Sequence, residues 1–353
     1  MTEAALTYDV IIVGSGINSL VAAAMLARKG RRVLMLERND RFGGCIRTDE
    51  VTVPGFRHDV LSGFYPLFMA SPGYGQLAEG LAARGIVFRN TEIPTGVLLP
   101  DGRSAVLTKD RQNNMERMDR ICAGDGQRYG ASLAAFEKSS PLVFGMLGGE
   151  PWRWANVKLF GKAALSQGPH SLAGFFGEAM GSCRHWLATT FESDLNRALF
   201  APWILHTGLG PEAALSGMMA KLIAFTLEAV GMPVVEGGSS RLVDAFVATL
   251  RDAGGEAVAG ADVAEILVTN GAAEGVRLQD GRSFMAKEAV ICNVTPTQLY
   301  GRLLPQKDSP ETVRREAAHY RYGRGDMQIH LALDGPLNWP DDDLKKAAMI
   351  HVT

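Results

Sequence analysis

Cysteine is scarce in this 353-residue chain: there are four, at positions 45, 122, 183 and 292, and none forms a CxxC pair. Such wide spacing excludes the pattern of a redox-active dithiol or a zinc knuckle and fits a reducing, cytoplasmic compartment. The seven histidines include no HExxH or comparable ligand spacing, so no metal is expected. A surplus of one charge is lacking too. Lys plus Arg number 36 against 38 Asp plus Glu, and no basic run carries interleaved aromatics. No global field therefore draws the chain to nucleic acid. No uninterrupted apolar run approaches the ~20 residues of a membrane span. The opening residues, Met1 to Tyr8, are few and acidic, unlike a signal peptide or an arginine-rich transit sequence. At 46% apolar the chain can bury an ordinary core, and its length suggests about two domains.

What is present is concentrated in residues 9–44. A short apolar strand, Asp9 to Val13, enters the turn Gly14-Ser15-Gly16-Ile17-Asn18-Ser19. A helical run follows, with Leu20, Val21, Ala24, Leu26 and Ala27 as its apolar residues and Gly30 as its stop. A second strand, Val33 to Leu36, then delivers Glu37. Glycines let the backbone approach a pyrophosphate at the positive end of the helix, and a carboxylate at Glu37 accepts from the ribose hydroxyls of an adenosine. Glu37 also argues against a 2′-phosphate. The third glycine of the usual GxGxxG turn is here Ser19, small enough for close helix–strand packing. The expected fold class is α/β, with a Rossmann-like dinucleotide-binding domain.

The doublet Gly43-Gly44 after Arg41 resembles the continuation found in large FAD-dependent oxidases and desaturases. Pro54-Gly55-Phe56-Arg57-His58-Asp59 is similar to the PGF-x-x-D element of phytoene-desaturase-like flavoproteins. That resemblance takes in bacterial carotenoid desaturases, a desaturase-related carotene ketolase and the pyridine nucleotide-disulfide oxidoreductase domain-containing protein 2 group. The last fits best, because Gly16-Ile17-Asn18 is similar to its GHNG turn. A second block, Glu236-Gly237-Gly238-Ser239-Ser240-Arg241-Leu242, resembles the family's return from substrate domain to FAD domain. Beyond it, short apolar runs alternate with turns, and Asp280-Gly281 reads as a hairpin.

The resemblance implies FAD as cofactor, held by Gly14, Gly16, Ile17, Asn18, Ser19, Glu37, Arg38, Gly43, Gly44 and the strand at Val263. It also places His58 and Asp59 near flavin or substrate, although a salt link from Arg57 to Asp59 fits the same residues. No catalytic side chain is singled out. Cys45 reads more simply as a small buried residue than as a flavin neighbour. The implied organisation is a first FAD segment over 1–93, a helical substrate insertion over 94–230, a second FAD segment over 231–300 and a returning substrate segment over 301–353. Within that last segment, 326–333 is expected as the returning strand. Family members run well past 353 residues, so the expectation is either a fragment or a second polypeptide completing the FAD domain.

In the middle of the chain, Pro94 to Gly102 reads as a hairpin. Helical patterns cover 111–121, 126–137, 171–179, 187–199 and 211–229. Phe136, Phe144, Trp152, Trp154, Phe160, Phe175, Phe176, Trp186 and Trp203 gather here, most of them expected to fill a helical core. The stretch 144–160 mixes tryptophans with Lys and Arg. That suits a membrane interface, though an entrance loop or ordinary core fits the same residues.

Two functions remain open on the sequence. One is an FAD-dependent oxidoreductase that desaturates or oxidises a small hydrophobic, carotenoid- or isoprenoid-like substrate, cytoplasmic or peripheral at a membrane. The other is a non-catalytic or partner-dependent flavoprotein subunit. An amine-oxidase-like activity is disfavoured, because its usual GGR is here Gly43-Gly44-Cys45.

Overall fold

The computed structural model describes residues 6–148, 153–323 and 325–353. The chain divides into two compact units. The first comprises residues 1–64, 75–88 and 234–333, and the second 65–74, 89–233 and 334–353.

The first unit is built on a six-stranded sheet. Strand β1 (Leu6–Val13) is followed by helix α1 (Ile17–Arg28) and strand β2 (Val33–Leu36). Val10 to Val13 and all four residues of β2 are buried, as strands covered on both faces must be. β1 lies parallel between β2 and the strand Ser283–Cys292, and the strand Glu256–Val258 adds in parallel beyond β2. On the other side, Ala272–Leu278 and Val263–Thr269 continue the sheet antiparallel. Gly281, at φ +91°, makes the expected hairpin after Asp280, whose carboxylate accepts from the Arg282 amide at 3.0 Å. Asn270-Gly271 makes a second, with both residues at positive φ, as a two-residue type I′ turn requires. Gly30, at φ +80°, ends α1, its amide bonded to the Ala27 carbonyl. The helix Ser240–Asp252 buries Leu242, Val243, Phe246 and Leu250 and packs on α1. Each such apolar side chain contributes about 1.5–3 kcal/mol.

The second unit holds a three-stranded sheet and most of the helices. Ile93–Leu98 and Ser104–Leu107 form the hairpin read at 94–102. Its third strand is Ala347–Val352, parallel to Ile93–Leu98, with Met349 opposite Thr95 and His351 opposite Val97. This corrects the expectation for 326–333, which takes no regular secondary structure. The alternation Met327, Ile329, Leu331, Leu333 is that of a strand, but no edge among the described residues pairs with it. Those side chains are exposed, from 84% at Met327 to 41% at Leu333.

Helix Arg111–Ile121 has the predicted bounds, capped by Asp110, whose side chain accepts from the Asn113 amide. Asp125–Leu147 extends well past 137, through Pro141, and Trp154–Gln167 is a helix that the pattern did not reveal. The helix expected over 187–199 is two, Cys183–Thr190 and Asp194–Phe200. Buried Asp125 causes the break: its carboxylate accepts from the amides of Glu192 and Ser193 at 2.8 and 3.1 Å, taking donors that a continuous helix would use. The last of the predicted helices begins at Ser216, after Leu215 at φ +69°. Phe136, Trp186 and Trp203 are core residues, whereas Trp154 and Phe176 are exposed. Trp152 lies outside the described residues. No helix among the described residues is long and apolar enough to cross a membrane.

Candidate functional site

Three parallel strands of the first unit end side by side, at Val13, Leu36 and Cys292, and the next residues of each, Gly14, Glu37 and Asn293, form one constellation. This is the carboxyl edge of an open α/β sheet, where such folds bind ligands. Gly14, at φ +92°, lies so close to the third strand end that a Cβ there would sit 2.9 Å from the Asn293 carbonyl oxygen. Gly16 is the N-cap of α1, and a Cβ on it would meet Asn293 Nδ2 at 3.1 Å. The amides of Ile17 and Asn18 have no acceptor among the described residues. A 12-residue helix thus presents unpaired N–H groups and the positive end of its dipole at a glycine turn, which is what a pyrophosphate needs.

Ser19, in place of the third glycine, is buried, and its Oγ accepts from Asn293 Nδ2 at 3.0 Å. The departure from the motif is absorbed by a hydrogen bond from the neighbouring strand end.

Glu37 is only 5% exposed. Its Oε2 accepts from the Ser15 amide at 3.0 Å and from Ser15 Oγ at 2.6 Å, and its Oε1 from the Asn39 amide at 3.0 Å and Asn39 Nδ2 at 2.8 Å. Four donors fill the four lone-pair directions of a carboxylate. Ser15 Oγ in turn accepts from the Gly43 amide at 3.0 Å, which ties the turn, the acid and the doublet together. Gly43 has φ +114° and is pressed by the helix Ser240–Asp252: a Cβ would meet Ile46 O at 2.5 Å and Val243 Cγ2 at 2.8 Å. Gly44, at φ +60°, faces Gly16, whose Cα would be 3.3 Å from a Cβ there.

Arg38 is exposed beside Glu37. Arg41 pairs with Asp49, whose carboxyl is held below its ordinary range by hydrogen bonds from Arg41 and then Arg47. Val263 is buried in the sheet core, opposite Leu278. Cys45 is exposed, which corrects its reading as a buried residue. It is Cys292, at the third strand end, that burial pushes up to about 11, leaving a neutral thiol.

His58 hydrogen-bonds Thr52 Oγ1 through Nε2 at 2.8 Å and lies with its ring centroid 5.1 Å from that of His330. Asp59 is not linked to Arg57. Its carboxylate accepts instead from Thr48 Oγ1 at 2.6 Å, the Ser239 amide at 2.9 Å and Ser239 Oγ at 2.8 Å. Ser15, Asn39 and Asn293 were not singled out by the sequence. Their signal was the parallel pairing itself, which brings strand ends together.

The second unit carries a separate polar cluster. Trp203, His206 and His351 pack with ring centroids 4.8–5.4 Å apart, and the two Nε2 atoms approach to 3.1 Å. Burial, then the neighbouring His206, pushes the His351 imidazole down to about 4, so it stays neutral. Trp203 Nε1, His351 Nδ1 and Thr95 Oγ1 are buried without a hydrogen-bond partner.

An open sheet with a glycine turn, a buried strand-end acid and a packed glycine doublet defines a dinucleotide-binding fold of the flavoprotein kind. The chain belongs to the flavin-containing amine oxidoreductase family, whose model matches residues 20–352. It is 26% identical over 316 residues to a limonene dehydrogenase subunit of Castellaniella defragrans, covering 85% of this chain and 54% of that protein. It is 27% identical over 356 residues to the chloroplastic prolycopene isomerase of Daucus carota (95% and 54% covered). With the hydroxyneurosporene desaturase of Cereibacter sphaeroides it shares 28% over 314 residues (86% and 60%). The chain spans about half the length of the curated relatives it matches. Among solved structures, a redesigned putrescine oxidase superposes with a TM-score of 0.58 at 20% identity, over 89% of this chain and 63% of that one. That likeness concerns the fold alone.

Proposed function

We propose that the chain forms the nucleotide-binding part of an FAD-dependent oxidoreductase that desaturates or oxidises a hydrophobic, isoprenoid-like substrate. The observation that carries this is the junction of Gly14-Ser15-Gly16, buried Glu37 and Gly43 through Ser15 Oγ. A pyrophosphate is met by the amides of Ile17 and Asn18. The ribose diol meets Glu37 by exchanging with a side-chain donor, and Asn39 Nδ2, on an exposed residue, is the one free to leave. Arg38 contributes positive charge at the rim, and the Val263 strand contributes backbone groups on the adenine side. When bound, FAD supplies a two-electron acceptor, so the chain needs no nucleophile of its own; its part is to orient the cofactor and exclude water.

The names of the relatives favour an isoprenoid: they refer to limonene, prolycopene and hydroxyneurosporene. The amine-oxidase reading gains nothing from the putrescine oxidase fold, and Cys45 stands where that activity usually has arginine. Anaerobic mixing separates the two. An isoprenoid hydrocarbon should bleach the flavin absorbance of the purified protein, and primary amines should not; bleaching by amines alone would overturn the substrate class.

Contact with a membrane surface belongs to the same proposal. Trp154 is 70% and Leu165 91% exposed on the helix Trp154–Gln167, beside Lys158, whose Nζ lies 6.0 Å from the Trp154 ring centre. Exposed apolar bulk with interleaved cations suits anionic headgroups. Flotation with phosphatidylglycerol vesicles should carry the wild type upward and leave Trp154→Ser/Leu165→Ser at the bottom. Equal flotation of both would remove this face from consideration.

A second polypeptide completing the FAD domain is also proposed, supported by the exposed apolar comb at Met327 to Leu333. One relative is itself named a subunit. Light scattering that finds a lone monomer, fully loaded with FAD, would count against it.

A further inference from the structure

Four side chains of the first unit close a ring of hydrogen bonds between segments some 190 residues apart. Thr48 N donates to Ser240 Oγ at 2.8 Å, and Ser240 N returns a bond to Thr48 Oγ1 at 2.9 Å. Thr48 Oγ1 also donates to Asp59 Oδ1 at 2.6 Å. Asp59 then takes both polar groups of Ser239, the amide on Oδ1 at 2.9 Å and the hydroxyl on Oδ2 at 2.8 Å. The two-stranded pairing of Thr48–Asp49 with His58–Asp59 sets Thr48 opposite Asp59. Gly238, at φ +101°, permits the approach, since a Cβ there would lie 2.5 Å from Thr48 Cγ2. The ring grips the N-terminus of the helix Ser240–Asp252, and a carboxylate at that end also complements the helix dipole.

That helix carries Val243, the residue pressed against Gly43, and Gly43 is in turn bonded to Ser15 and followed by Gly44 against Gly16. We propose that Asp59 is a positioning residue of the dinucleotide site: with Thr48, Ser239 and Ser240 it forms a latch that holds the helix Ser240–Asp252 so that Val243 seats the Gly43-Gly44 doublet on the glycine turn. Asp59 acts through this ring, in which Thr48 and Ser239 engage both oxygens of its carboxylate. The inference rests on the FAD reading above for its consequence, though not for the ring itself.

The test is a matched pair. Thr48→Val keeps the side-chain shape and removes the hydroxyl that serves both Asp59 and Ser240; Thr48→Ser keeps the hydroxyl. In the nucleotide-free chain, amide hydrogen exchange at Gly43, Ile46 and Ser240 should quicken in Thr48→Val and stay at wild-type rates in Thr48→Ser, with the amides of β1 and β2 unchanged in both. FAD should bind Thr48→Val about tenfold more weakly and Thr48→Ser within about twofold of wild type, the scale of one or two lost hydrogen bonds to a charged group. Asp59→Asn, which keeps the volume and loses the charge, should follow Thr48→Val. Exchange that is unaltered at Gly43 and Ile46, or raised equally across the whole sheet, overturns the latch. If the wild type itself binds no FAD, the functional reading fails, and the exchange arm still decides whether the latch exists.

Discussion

Replacing Gly14 with Ala should weaken nucleotide binding severely and lower the stability of the first unit. The residue sits at φ +92°, where a Cβ is strained, and that Cβ would press on the Asn293 carbonyl oxygen at 2.9 Å. The obstacle is backbone, and it cannot swing aside: the Asn293 amide is bonded to Val13 O at 2.9 Å, and the strand before it pairs with β1 through seven residues. Strain of about 1–2 kcal/mol and overpacking of about 1–3 kcal/mol act together. If β1 and its neighbour separate to relieve the clash, the turn loses its shape, and FAD affinity falls on the order of 100-fold. Gly30→Ala is the control: φ is +80°, but nothing lies within 4 Å of the new Cβ. It should cost about 1 kcal/mol of stability and leave FAD binding unchanged. Fluorescence titration of both variants checks the pair, and a Gly14→Ala protein that binds FAD within threefold of wild type would contradict the geometry.

Glu37→Ala should have the next largest effect. It strips the acceptor from four donors at once, two of them on buried Ser15. An orphaned buried donor costs about 1–3 kcal/mol, and without a carboxylate to receive the ribose hydroxyls FAD binds more weakly by a further 1–3 kcal/mol or so. Stability and affinity therefore fall together, which separates this variant from one confined to the rim. Arg38→Ala, by contrast, leaves the melting temperature unchanged because its side chain is exposed. Calorimetric unfolding of the nucleotide-free proteins, paired with FAD titration, measures both quantities. Glu37→Ala with wild-type stability would mean that the four hydrogen bonds carry no net weight.

The first αβ unit of the fold was legible because its signals are local. Strand, glycine turn, helix, stop glycine, strand and acid follow one another in residues 9–44, and each is imposed by neighbours in sequence. Helix 111–121 was legible from its local pattern, whereas its cap, Asp110, emerged only with the structure. What the sequence hid depends on pairings between distant segments. Ser19 looked like a flaw in the motif, and only Asn293, brought in by the parallel pairing of Ser283–Cys292, explains it. Periodicity carried a single helix through 187–199, and a buried carboxylate at Asp125 divides it. The alternation at 326–333 is a true strand pattern, yet a strand needs an edge to pair with, and pattern alone does not supply one. Residues 347–352, less regular in sequence, have that edge in Ile93–Leu98. Asp59 drew notice for its motif, but its partners, Thr48, Ser239 and Ser240, emerge only once the ring is closed.

The central claim is that Gly14, Gly16 and Glu37, together with the Gly43-Gly44 doublet, hold FAD. Purified protein, expressed with any natural partner, should be yellow, and on denaturation it should release one FAD per chain, identified by its mass and absorbance. Stoichiometric release of NAD, with no flavin, would contradict the account.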